Sequence, residues 1–179
     1  MMGRDEGDMG LQQALDFRAG LPNPVQRSMQ VLAETKAGSW TFQRTLYRLD
    51  RPLYRWTDGR VTLPGVLTGL PVILLTTTGA KSGLARTMPV MAVPLGDDLA
   101  VLGTNFAQPR TPAWVFNLEA DPQATVSWRD RSVPVLARSA SDDEREEAWT
   151  AATRIYRGFA KYRQRITERP VRIFVLGAA

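Results

Sequence analysis

The 179-residue chain contains no cysteine and no histidine. Without cysteine there is no disulfide framework, no thiolate metal site and no cysteine nucleophile. Without histidine, the usual general base, the Ser-His-Asp arrangement and most zinc and iron sites are excluded. The remaining options are carboxylate, Lys or Tyr chemistry, binding alone, or a bound cofactor that carries the reaction. We expect no metal site.

Long hydrophobic runs are also missing. No stretch of about 18 apolar residues occurs, so the sequence predicts no membrane-spanning helix. The N-terminus, MMGRDEGDMG, is polar and lacks the apolar segment of a signal peptide. These features predict a cytoplasmic protein.

The net charge of +5 favours an anionic partner, which could be nucleic acid, a membrane surface or a phosphorylated ligand. Basic residues are concentrated in two stretches, 44–60 and 154–172. No nucleic-acid-binding motif is recognisable, so nucleic acid is not expected as a partner. Solvated surface is the alternative interpretation of each stretch.

Residues 1–58 are predicted to form an N-terminal helical extension, which either belongs to the same domain as the rest of the chain or faces a membrane. Residues 24–37 fit one helix and residues 39–56 a second. The second has an apolar face and an opposed basic face, formed by Arg44, Arg48, Arg51 and Arg55. Such a helix can lie on an anionic membrane, which would make the protein peripheral on the inner face of that membrane. Alternatively, its apolar face covers the domain's own core.

Residues 59–179 are predicted to form the main domain. Strands are predicted over 71–78, 86–94, 99–104, 124–128, 132–138 and 171–176. A short helix should begin with Thr111 as N-cap and Pro112 as its first residue. Ser141 to Glu144 form a capping box that opens the last main helix. Many antiparallel strands with inserted helices predict a barrel-like α+β domain.

The most informative stretch is 74–86, LLTTTGAKSGLAR. It predicts a buried strand, a glycine-bounded turn that presents Lys81 and Ser82, and Arg86 at the start of the next strand. Glycines let the backbone approach a ligand closely, and turn N–H groups beside cationic side chains form an anion site. The order of residues is not that of a Walker loop.

The run TTTGAKSGLARTMP resembles the signature of the deazaflavin-dependent nitroreductases and F420H2-dependent quinone reductases, whose members use reduced coenzyme F420. Two later blocks are similar to the same family. They are TPAWVFNL with a following Asp-Pro, and YRGFAKY with a following Arg-Pro. In order and spacing these blocks cover roughly residues 47 to 176.

The resemblance implies a split β-barrel and hydride transfer from the deazaflavin ring to an organic acceptor. By their match to the family's blocks, Lys81, Ser82 and Arg86 hold the coenzyme's phosphate and acidic tail. The other implied coenzyme-binding residues are Met88, Pro89 and Val90 beside the ring, then Thr104, Asn105 and Trp114. The family often has a basic residue at the position of Asn105, and Arg110 is the candidate to supply that charge.

On the acceptor side, the resemblance places an aromatic set formed by Tyr156, Phe159 and Tyr162. On one helix these residues are three apart and would share a wall. Tyr156, Tyr162 or water would supply a proton to the reduced acceptor. The family often has Tyr at the position of Phe159, which cannot donate a hydrogen bond. The acceptor can be a quinone, a nitroaromatic or an activated alkene.

Two other functions fit the same sequence features. One is a split-barrel protein that holds FMN in place of F420. The other is a non-catalytic module that binds a membrane through its basic faces.

Overall fold

Six antiparallel strands close into a barrel in the computed structural model, which describes residues 10–18 and 69–179. The strands are β1 Val72–Thr78, β2 Ala85–Leu95, β3 Asp98–Leu102, β4 Gln123–Trp128, β5 Arg131–Ser139 and β6 Ile173–Ala178. Their order around the barrel is β1-β2-β3-β6-β5-β4, and β4 pairs with β1 to complete the circle. The predicted α+β barrel is confirmed.

Four helices accompany the barrel in the described residues. They are α1 Leu11–Ala14, α2 Ala113–Ala120, α3 Asp142–Ile155 and α4 Gly158–Arg165. A 3-10 turn, Asn105–Ala107, lies between β3 and α2. None of the described helices is long and apolar enough to cross a membrane.

Alternation along the strands creates two hydrophobic cores. On β2, Val90 and Ala92 point into the barrel, whereas Val93 and Leu95 point outward. The interior core is filled by aliphatic side chains together with Trp114 and Phe174. The outer core lies under α3 and α4 and joins them to β2, β3 and β6. Because the interior is filled by side chains, a ligand must bind outside the barrel.

Residues 10–18 close one end of the barrel. Leu11 and Leu15 are fully buried in the interior core. The Gln12 side chain donates to the carbonyls of Gly96 at 2.9 Å and Asp98 at 2.8 Å, in the turn region between β2 and β3. This part of the N-terminal extension therefore packs against the barrel. The opposite end, which we call the loop end, carries the 79–84 loop, the 103–112 segment and α2.

Two helix predictions need correction. Pro112, not Thr111, is the N-cap of α2, and no side chain caps that helix. Tyr156, Phe159 and Tyr162 do not lie on one helix, because Tyr156 adopts an extended conformation at the end of α3 and only Phe159 and Tyr162 belong to α4. A Cβ on Gly158 would lie 2.3 Å from the Tyr156 ring, so only glycine leaves room for that ring.

The predicted helices 24–37 and 39–56 lie outside the described residues. The membrane interpretation of the basic face formed by Arg44, Arg48, Arg51 and Arg55 therefore stays a prediction.

The predicted capping box of α3 is confirmed. Ser141 Oγ accepts from Glu144 N at 3.3 Å, and Glu144 Oε2 accepts from Ser141 N at 2.8 Å. Arg138 forms two further bonds to the same carboxylate, at 2.6 and 2.8 Å. These hydrogen bonds lower the pKa of Glu144 to about 2. The bonds from Arg138 have the largest effect, and the bond from the Ser141 backbone has the next largest.

The low pKa of Glu144 predicts a pH-dependent contribution to stability. Because the folded pKa lies below the ordinary value of 4.5, the contribution is present above that pH and is lost as the pH falls toward about 2. Glu144→Gln should therefore lower the melting temperature at neutral pH and have little effect near pH 2. Glu147→Gln, which changes an exposed carboxylate of the same helix, is the control. A wild-type advantage that persists undiminished at pH 2 would contradict the assignment.

Candidate functional site

The 79–84 loop joins β1 to β2 and presents the predicted cationic residues. Lys81, Ser82 and Arg86 are exposed, and Lys81 and Arg86 form no ion pair with the described residues. Gly83 has a φ of 65°, in the left-handed region that favours glycine. Two unpaired cations beside a hydroxyl form a site that suits an anionic ligand.

The backbone N–H groups of this loop contribute less than the sequence predicts. The N–H groups of Ser82 and Gly83 both donate to the Gly79 carbonyl, at 3.0 and 2.8 Å. The Ala80 N–H donates to Asn117 Oδ1 at 3.0 Å. Because these three donors already have partners, they are not available to an anion, and the predicted role of this loop depends mainly on the side chains of Lys81, Ser82 and Arg86.

Asn117 on α2 anchors the loop to the barrel. Its side chain is 7% exposed, accepts from Ala80 N and donates to Thr77 Oγ1 at 2.9 Å. Thr77 is 2% exposed and lies opposite Arg86 in the β1–β2 register. Buried polar groups such as these stabilise one conformation when all are bonded. Asn117 is not among the residues predicted from the sequence, although a lone amide in the apolar stretch AWVFNL is a usable signal.

The 103–112 segment is the second part of the loop end and has an unusual backbone. Asn105, Phe106 and Ala107 have φ angles of 47°, 53° and 59°, all left-handed. Such a conformation costs a residue other than glycine roughly 1–2 kcal/mol, although Asn tolerates it better. Strain of this kind persists where the surroundings impose it, and it is concentrated at functional sites.

Arg169 provides that support. Its guanidinium donates to the carbonyls of Gly103 at 2.9 Å, Thr104 at 3.0 Å and Gln108 at 3.2 Å. The pKa of Arg169 is lowered from its ordinary value, mainly because the guanidinium is partly buried and to a lesser extent because Arg172 carries a like charge nearby. No role for Arg169 is predicted from the sequence, because contacts more than 60 residues apart leave no local signal.

Helix α2 contacts both parts of the loop end. Asn117 holds Ala80 on one side. On the other, a Cβ on Gly103 would lie 2.9 Å from Val115 Cγ2. The structure therefore brings the 79–84 loop, with Lys81, and the 103–112 segment, with Thr104 and Asn105, to the same end of the barrel.

Within the 103–112 segment, the predicted residues differ in exposure. Thr104 is buried and Asn105 is half-buried. The Asn105 side chain donates to the Arg110 carbonyl at 2.8 Å. Arg110 is exposed, so its charge faces solvent beside this segment.

Of the four other predicted coenzyme residues, three lie on β2 and Trp114 lies on α2. Met88 and Val90 face the interior core, and Trp114 is buried there against Phe174, with ring centroids 6.1 Å apart. Pro89 is exposed on the outer face of β2. Of these side chains, only that of Pro89 is freely open to a ligand in the described structure.

The predicted acceptor residues form an aromatic cluster in the outer core. The rings of Tyr156, Phe159 and Tyr162 contact one another at 5.5 to 6.1 Å, and Phe159 also contacts Trp149. All three are at least nine-tenths buried. The cluster adjoins the 103–112 segment, because Ala107 packs against the outer core and α4 contacts the 3-10 turn. Their role toward an acceptor stays a prediction.

Comparison with known proteins decides between the remaining functions. The sequence profile of the family described as F420H(2)-dependent quinone reductase matches residues 46–178. The chain belongs to this family. An F420H(2)-dependent quinone reductase of Mycobacterium tuberculosis is 30% identical over 136 residues, which cover 73% of this chain and 89% of that protein.

Solved structures agree with this assignment. The structure of an F420H2-dependent reductase is 36% identical in sequence, with a TM-score of 0.54. The match covers 59% of this chain and 93% of that chain. A second structure, described as a domain-swapped dimer, is 31% identical in sequence, with a TM-score of 0.57. That match covers 79% of this chain and 99% of the other. The fold is thus that of the split-barrel reductases.

The chain is therefore an enzyme, an F420H2-dependent reductase, and its cofactor is reduced coenzyme F420. The FMN alternative is not supported, and neither is a module without catalytic activity. The loop end fits the coenzyme, because an acidic molecule requires cations that are not already paired. Lys81 and Arg86 meet that requirement in the described structure.

Proposed function

We propose that this reductase transfers hydride from F420H2 to an apolar quinone-type acceptor at the loop end of the barrel. In this proposal Lys81, Ser82 and Arg86 hold the coenzyme's anionic part. Thr104, Asn105 and Arg110 meet it from the 103–112 segment. The reduced deazaflavin supplies the hydride when bound, and the chain's own residues bind, orient and exclude water.

The exposed apolar side chains support an apolar acceptor. Four large hydrophobic residues are exposed in the described part of the chain. Three of them belong to the loop end: Leu84 at 60%, Phe106 at 54% and Phe116 at 47%. A contiguous exposed apolar patch marks a binding surface, and in this proposal these three side chains form one at the loop end. A quinone ring with an apolar tail fits such a surface better than a charged acceptor does.

Reduction of a quinone to a quinol requires a hydride and one proton. The chain has no histidine to supply the proton. We propose Tyr156 or Tyr162 as the donor, with water as the alternative, because the aromatic cluster adjoins the 103–112 segment. Phe159 offers no hydroxyl at the position where the family often has one, which favours quinones over acceptors that need that donor.

A panel of acceptors tests the proposal. F420H2 is mixed with the enzyme and a quinone, a nitroaromatic or an activated alkene, and the absorbance of oxidised F420 is followed. We expect turnover with the quinone at a kcat/KM at least tenfold above that with the other two. FMNH2 in place of F420H2, followed at the absorbance of oxidised FMN, is the control, and the enzyme should not raise its rate of oxidation above that of the same mixture without enzyme. Reduction of the nitroaromatic or the alkene without reduction of the quinone would reject a quinone acceptor.

A further inference from the structure

The 103–108 loop is held in place from outside. Three successive residues other than glycine, Asn105, Phe106 and Ala107, are left-handed. Within the loop, Ala107 N donates to Thr104 O and Gln108 N donates to Asn105 O, both at 3.0 Å. These bonds close the turn, but they do not remove the steric preference of Phe and Ala for other conformations. Another part of the chain must fix the loop.

Arg169 is placed to do so. It lies between α4 and β6, and one guanidinium reaches the start of the loop at Gly103 and Thr104 and its end at Gln108. Its described hydrogen bonds all go to main-chain carbonyls, with no carboxylate partner. The loop residues that it holds include Thr104 and Asn105, which are proposed to meet the coenzyme.

We propose that Arg169 is a positioning residue for the coenzyme: by binding the carbonyls of Gly103, Thr104 and Gln108, it keeps residues 105–107 of the 103–108 loop in their left-handed conformation. The inference rests on the proposed function of the loop end. A planar guanidinium can bond several carbonyls at once in a fixed fork, whereas a lysine ammonium is a single flexible point charge. Lysine should therefore replace Arg169 only in part.

The proposal makes separate predictions for the free and the coenzyme-bound protein. In the coenzyme-free protein, Arg169→Ala should speed hydrogen exchange of the Ala107 and Gln108 amides at least tenfold. In the same variant, the dissociation constant for F420, measured by quenching of its fluorescence, should rise about tenfold. The KM for F420H2 should rise similarly, while kcat at saturating F420H2 stays within twofold. Arg169→Lys should show about a threefold loss of affinity.

Two further variants distinguish positioning from general destabilisation. Arg131 is the control, because it also donates to a main-chain carbonyl, that of Ala14 at 3.1 Å, at the opposite end of the barrel. Arg131→Ala should leave both the exchange and the F420 affinity within twofold of the wild type. The double variant Arg169→Ala, Ala107→Gly should bind F420 at least threefold more tightly than Arg169→Ala alone, because glycine accepts a positive φ without a steric penalty.

Several results would overturn the proposal. Unchanged exchange in Arg169→Ala would show that Arg169 does not hold the loop. Faster exchange with unchanged F420 affinity would show that the held loop does not serve the coenzyme. An equal loss of affinity in Arg131→Ala, or no rescue by Ala107→Gly, would indicate general destabilisation. If Arg169→Ala does not fold, an unchanged F420 affinity in Arg169→Lys would show that the guanidinium of Arg169 does not serve coenzyme binding. Wild-type protein that fails to bind F420 would instead reject the proposed function, whatever the exchange data show.

Discussion

Replacing both Lys81 and Arg86 by alanine is expected to weaken F420 binding by about a hundredfold. A hydrogen bond to a charged group contributes roughly 1.5–3 kcal/mol. Both side chains are exposed, so we take the lower end for each. About 1.4 kcal/mol corresponds to a factor of ten, and two such losses give about a hundredfold. Fluorescence titration of F420 against each variant measures the effect.

A charge-matched variant controls for the loss of two positive charges. Arg154 and Arg165 are exposed on α3 and α4, away from the 79–84 loop, and their replacement by alanine removes the same net charge. That variant should bind F420 within threefold of the wild type. The wild type should lose affinity as salt rises, and the Lys81→Ala, Arg86→Ala variant much less so. An unchanged dissociation constant in the latter would remove the 79–84 loop from the coenzyme site.

Much of the fold could be predicted from local patterns. Each strand of the barrel shows a run of β-branched and apolar residues bounded by turn residues, and each predicted strand is present to within a few residues. The capping box at Ser141 was also predictable, because both of its partners lie within four residues. By contrast, closure of the barrel by Leu11 and Leu15 depends on contacts more than 80 residues away, such as that of Gln12 with Gly96. No local pattern contains this information.

In the candidate site, too, local features could be predicted from the sequence, whereas those that depend on long-range contacts could not. The strand–turn–strand pattern correctly predicted an exposed loop with Lys81 and Ser82. The period of two along β2 places Met88 and Val90 on one face of the strand and Pro89 on the other, so the three side chains cannot all face one ligand. Asn117 and Arg169 bond to residues 37 and about 65 positions away. Their roles follow from the folded arrangement of α2 and the segment before β6, which the sequence pattern does not reveal.

Asn117→Leu is expected to reduce both stability and coenzyme affinity. Leucine is close to asparagine in volume, but it leaves the Ala80 N–H and the Thr77 hydroxyl without the partner they have now. A buried polar group that loses its partner costs about 1–3 kcal/mol. We expect a total loss of about 2–4 kcal/mol, which lowers the melting temperature by roughly 5–15 °C. F420 affinity should fall about tenfold, because the 79–84 loop loses its anchor on α2.

Thr77→Val separates the two effects of Asn117. It removes the partner of Asn117 Nδ2 but leaves the bond from Ala80 N to Asn117 Oδ1 in place. This variant should therefore melt at a lower temperature while binding F420 within twofold of the wild type. Asn117→Leu combined with Thr77→Val should be no less stable than Asn117→Leu alone, since groups in contact do not act additively. If Asn117→Leu lowers the melting temperature but binds F420 like the wild type, then Asn117 stabilises the barrel and the 79–84 loop holds the coenzyme without it.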